Sequence, residues 1–68
     1  SDRYLVMTDS PTYSASTKWR EQPELSGGWT DTQIYYTPKR GNFTQGATAY
    51  LHVVVNGASI YNQSVVVP

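Results

Sequence analysis

Ala47 to Val67 reads ATAYLHVVV, then NG, then ASIYNQSVVV, and this run decides the fold. Two stretches rich in Val, Ile and Tyr flank Asn56-Gly57. That dipeptide is the strongest local signal for a β-hairpin closed by a two-residue type I′ turn, because both corner positions need positive φ and Asn and Gly tolerate it. Such a turn sets the register: with Val55 opposite Ala58, Val53 faces Ile60, His52 faces Tyr61, Tyr50 faces Gln63 and Thr48 faces Val65. Side chains alternate across a strand. Ala47, Ala49, Leu51, Val53 and Val55 are therefore expected on one face with Ala58, Ile60 and Val66, and Tyr50, His52, Tyr61 and Gln63 on the other. The first face reads as core and the second as a contact surface.

Upstream of the hairpin, Phe43-Thr-Gln-Gly46 is a short approach in which Gly46 marks a bulge or bend, and Lys39-Arg-Gly-Asn42 is a turn. Trp29 to Thr37 has strand composition and is stopped by Pro38. Glu21 to Gly28, with its Pro, Ser and Gly pair, reads as a loop. From Tyr13 to Arg20 the alternation of Tyr13, Ala15, Thr17 and Trp19 against Ser14, Ser16, Lys18 and Arg20 predicts a half-buried strand. Arg3 to Thr8 is the first strand, closed by the turn residues Asp9-Ser-Pro11. The sum is an all-β chain, a small antiparallel β-sandwich or barrel of about five strands, forming a single domain over residues 1–68.

A chain of 68 residues is one domain, and at this size folding removes only about 60% of the unfolded surface from water. Small domains compensate with disulfides, a metal or association. Cysteine is absent and His52 is the single histidine, so the first two routes are closed and association is favoured. Five basic and five acidic side chains cancel, which removes the electrostatic footprint of a dedicated nucleic-acid or anionic-membrane binder. No apolar run approaches the roughly 20 residues that span a bilayer. A first residue of serine fits an excised initiator methionine or a cleaved leader, and the lack of cysteine favours the former. Both ends are expected to be held by the sheet or by neighbours.

The charges are unevenly placed. Every Asp, Glu, Lys and Arg lies at or before Arg40, and Gly41 to Pro68 contains none. Free β-edges are normally guarded by charge, Pro or a bulge, yet Val65-Val-Val67 has only Pro68 as a guard. Either this strand is central in its sheet or another chain covers it.

Candidate chemistry is thin. A triad around His52 would need an activated Ser or Cys and an orienting acid, and the hairpin carries no acid. Asp9, Glu21, Glu24 and Asp31 would need a cleft that grips a sugar ring to act as a glycosidase pair, and turn solvation explains them more simply. Lys18-Trp-Arg20 and Tyr35-Tyr36 with Lys39-Arg40 interleave rings and cations as a single-strand nucleic-acid platform would, on a size that suits a small barrel, but net charge of zero opposes it. The Asn42-Phe-Thr44 and Asn62-Gln-Ser64 sequons are read as accidental. No cofactor or metal is implied.

From Phe43 onward, the Gly, the alternating strand, the Asn-Gly turn and the Val-rich closing strand resemble the last hairpin of immunoglobulin-like modules in bacterial surface and phage proteins. The resemblance covers less than half of the chain, and the Cys and Trp landmarks of immunoglobulin domains are missing. A marginal core without staples, the uncharged final hairpin, the excess of Tyr, Thr and Val, and termini expected to be held lead to the expectation of a non-enzymatic interaction protein within a larger assembly. A virion accessory such as a phage capsid decoration protein is the concrete form, on a virion or extracellular surface. Its contact residues are expected to be Tyr50, His52, Tyr61, Gln63, Val65 and Val66, with Lys39 and Arg40 steering an acidic partner, and its partner another protein or a second copy. The rival is a carbohydrate-binding module, since Tyr and Trp rings serve glycans and proteins alike.

Overall fold

The computed structural model describes residues 3–68 and is all-β, with no α-helix among them. Six strands form: β1 (Arg3–Thr8), β2 (Trp19–Glu21), β3 (Glu24–Trp29), β4 (Ile34–Tyr36), β5 (Thr48–Val55) and β6 (Ala58–Val66). Four of them make an antiparallel sheet in the order β2-β1-β5-β6, and β3 and β4 make a separate two-stranded ribbon. The strands do not close into a barrel. At the N-terminal end the expected anchoring concerns Ser1 and Asp2, which lie outside the described residues, whereas Val67 at the other end is buried.

The Asn-Gly corner forms as its chemistry requires. Asn56 has φ 52° and Gly57 φ 82°, and Val55 pairs with Ala58. Beyond the next pair, Val54 with Ser59, a bulge slips the register by one. Val53 then meets Tyr61, His52 meets Asn62, Leu51 meets Gln63, Tyr50 meets Ser64 and Thr48 meets Val66. Since side chains alternate, the slip moves Tyr61 and Gln63 to the face of Leu51 and Val53, away from Tyr50 and His52. The expected Tyr50–His52–Tyr61–Gln63 stripe is therefore split between the two faces of the sheet.

Residues 13–20 are not one strand. The Ser- and Thr-rich run after Pro11 offers local hydrogen bonds that compete with a ladder. Ala15 N–H bonds to the Thr12 carbonyl at 3.0 Å and Ser16 N–H to that of Tyr13 at 3.1 Å, making a 3-10 turn over Tyr13–Ala15. The Asp9 carboxylate accepts from the Thr17 hydroxyl and from the Thr17 and Lys18 N–H groups, which ties the loop down and holds its carboxyl below the ordinary aspartate value. Only Trp19–Glu21 then remain to pair with β1.

The expected loop at Glu21 to Gly28 is instead largely β3, and the expected strand at Trp29 to Thr37 is shortened to β4. Thr30 closes the turn between them: its N–H bonds to the Gln33 carbonyl at 2.8 Å, and its Oγ1 accepts from Gln33 N–H at 3.1 Å. Gly28 reads as a turn residue but serves a close approach, for a Cβ there would lie 2.8 Å from the Tyr35 carbonyl oxygen.

The sheet needs cover on both faces. On one, Val6, Thr8, His52 and Val54 are buried beneath the 9–18 loop, whose Tyr13 hydroxyl lies 2.7 Å from that of Tyr4. On the other, Met7, Ala49, Val67 and Phe43 form the apolar core, with Leu51 and Val65 packed against it. Gln22 pins the chain that brings Phe43 there. It is 3% exposed; its Nε2 donates to the Arg20 and Lys39 carbonyls and its Oε1 accepts from Lys39 N–H.

Nothing lies within 4 Å of a Cβ placed on Gly57, so substitution there strains only the backbone. Gly57→Val is expected to cost about 1–3 kcal/mol, because a β-branched residue resists positive φ. Urea denaturation checks this; an unmoved midpoint would show that the corner does not hold the hairpin.

Candidate functional site

β6 is an edge strand, and it is the long, bare edge of the sheet. Ala58–Val66 carries no charge and leaves Ile60, Tyr61 and Val66 at 65%, 59% and 69% exposure. Which of its backbone groups are free follows from its end. Val67 N–H donates to the Ala47 carbonyl and the Val67 carbonyl accepts from Gly46 N–H, so Val67 faces β5. Alternation then turns Val65, Gln63 and Tyr61 toward β5, and turns the N–H and C=O groups of Val66, Ser64 and Asn62 outward.

The opposite edge is built differently. β2 has only three residues and includes Arg20 and Glu21, with Lys18 before it. The Arg20 side chain runs against Gly41, whose added Cβ would meet Arg20 Cδ at 3.0 Å. Arg40 and Lys39 stand beside that contact, Lys39 being held through its backbone by Gln22. Arg20, Lys39 and Arg40 are thus gathered beside the short edge, whereas the Lys18 ammonium lies 5.7 Å from the Phe43 ring centroid; Lys39 and Arg40 are exposed.

Between the upper half of the sheet and the β3–β4 ribbon lies a groove of about 870 Å³. Leu51, Val53 and Tyr61 line one wall, and Trp29, Ile34 and Tyr36 the other. The Arg3 guanidinium sits 4.7 Å from the Trp29 ring centroid, covering part of that ring. Gln63 reaches the same groove, so the bulge has placed two of the expected contact residues on its rim.

The other expected contact residues separate. Val66 is exposed; Tyr50 and Val65 are half-buried. His52 is fully buried, which corrects its expected place on the contact surface. Its Nε2 lies 2.8 Å from the Ser10 carbonyl, which can only accept, so Nε2 carries the hydrogen and Nδ1 accepts from the Ser59 hydroxyl at 2.7 Å. The Tyr13 ring, with its centroid 5.4 Å away, closes the site. His52 is thereby a strut between β5, β6 and the 9–18 loop. Sequence pattern alone gave Gln22 no role, since a buried amide in a Pro-flanked loop carries no periodic signal.

Among the described residues no three His, Cys, Asp or Glu side chains come together as metal ligands would, and no helix is long and apolar enough to cross a membrane. No family model, curated protein or solved structure matches the chain.

Truncating the strut should cost far more than truncating the rim. His52→Ala is expected to destabilise by about 2–4 kcal/mol, losing packing in a fully buried site and both imidazole hydrogen bonds, while the Ser10 carbonyl keeps only the Thr8 hydroxyl as donor. Tyr61→Ala should cost less than about 1 kcal/mol. Denaturation midpoints of the two variants give the ranking, and the reverse order would contradict the buried position of His52.

Proposed function

We propose that the chain is a non-enzymatic interaction module that works within a larger protein assembly by docking another chain along β6. The difference between the two sheet edges carries this reading. Strand edges left in water are kept short and charged, because unpaired N–H and C=O groups recruit further strands. β2 is both short and charged, whereas β6 is long and uncharged, and past the bulge at Ile60 nothing guards Tyr61–Val66. Two further features support it: a groove opens beside the same edge, and the two-stranded ribbon is smaller than the four-stranded sheet it stands against, which leaves room for a partner. Catalysis gains no support, since both His52 nitrogens are engaged in a buried site.

A virion accessory of the capsid-decoration kind is the setting we favour, supported by small size and Tyr- and Thr-rich composition. A carbohydrate-binding module is the second reading, favoured by Trp29, Tyr36 and Tyr61 converging on one groove.

Sedimentation of the purified chain, with and without a panel of neutral oligosaccharides, separates the two. The wild type is expected to associate, and Val66→Asp to weaken that association about tenfold or more by placing charge on the edge. A monomer indifferent to Val66→Asp that binds an oligosaccharide would replace the assembly reading with the second one.

A further inference from the structure

We infer that the chain covering β6 is a second copy of this one, joined by antiparallel pairing of β6 with itself about a twofold axis at Ser64. The inference rests on the assembly reading and names its partner. Three observations carry it.

The first is the span available for pairing. At one end β6 is interrupted by the bulge at Ile60, and at the other Pro68 has no N–H to donate. The regular stretch between them runs from Tyr61 to Val67, and its midpoint is Ser64. The second is the placement of the free backbone groups. Asn62, Ser64 and Val66 face outward, symmetrically about that midpoint. A twofold at Ser64 sets Asn62 of each copy against Val66 of the other and Ser64 against Ser64, so every outward N–H and C=O in the span finds a partner. An axis at a neighbouring residue would leave an outward pair facing the bulge or the proline. The third is charge. Antiparallel self-pairing brings each strand against its own sequence, which penalises charged strands, and Ala58–Val66 contains no charge at all.

The pairing is isologous, so one contact closes both bare edges at once and leaves the short, charged β2 edges as the ends of a continuous eight-stranded sheet, four strands from each copy. Tyr61 and Gln63, on the groove rim, then lie next to the junction and bring the two grooves together across it.

The test exploits the axis. Ser64 is exposed and its N–H faces outward, so a long charged side chain there leaves the fold of each copy intact. Ser64→Lys alone and Ser64→Glu alone each set like charges opposite one another, and dimer affinity measured by sedimentation is expected to fall about five- to tenfold. An equimolar mixture of the two should recover wild-type affinity, because the axis now joins Lys to Glu. Ser64→Pro serves as the backbone control: it should fold, as an edge position with a free N–H permits, and fail to dimerise. A monomeric wild type would overturn self-pairing. A wild type that associates while both charged variants associate equally well, without rescue on mixing, would overturn the twofold and leave the assembly reading standing. The assembly reading falls separately, on oligosaccharide binding by a chain indifferent to Val66→Asp.

Discussion

The ladders on both sides of β5 are the constraint from which the rest follows. β5 pairs with β1 along the whole of Arg3–Thr8 and with β6 along the whole hairpin. Its residues are also buried on both faces: Ala49 on one and His52 and Val54 on the other have no exposure at all. A strand so enclosed needs cover above and below, and the chain supplies two unlike pieces. The 9–18 loop seals one face through Tyr13 and the bonds around His52. The segment carrying Phe43 seals half of the other, held by the Gln22 amide. Little chain is left to close the upper half, where the β3–β4 ribbon stands off across a groove.

The central strand also determines what stays open. With β1 on one side and β6 on the other, β6 has nothing beyond it. Its outward backbone groups and its exposed Ile60, Tyr61 and Val66 lie together on the side remote from Arg20 and the Lys39-Arg40 pair. Small domains without disulfide or metal have a limited core to draw on, and association is the remaining source of stability. The edge and the groove beside it are where association would add most, since the edge carries free backbone groups and the adjacent groove exposes Trp29, Ile34 and Tyr61.

The hairpin was legible because its signals are local. Asn56-Gly57 demands a particular corner, and Val-, Ile- and Tyr-rich flanks demand strands, so β5, β6 and the type of turn follow from neighbouring residues. Arg3–Thr8 was legible for the same reason. The bulge at Ile60 was not, because no Gly or Pro marks it and one extra residue in a uniform β-former run leaves no trace. Its effect on the candidate site is large, since Tyr61 and Gln63 change face, while His52 is taken into the interior by the 9–18 loop, which no periodicity announced. The Tyr13–Arg20 alternation misled because Asp9, eight residues before Thr17, captures the loop with hydrogen bonds that no period reveals. The Gly27-Gly28 pair read as a turn because Gly is permissive, whereas Gly28 is needed for its lack of a side chain. The uneven charge was legible, but only the strand order showed that it separates a guarded edge from a bare one.

Residue-resolved amide hydrogen exchange of the wild-type protein tests most directly whether β6 is covered. Gln63 and Val65 donate inward to β5 and should be protected in any state. If another chain lies along β6, the outward amides of Asn62, Ser64 and Val66 should be protected to a similar degree. Outward amides that exchange as fast as those of an open loop, while Gln63 and Val65 stay protected, would contradict the account.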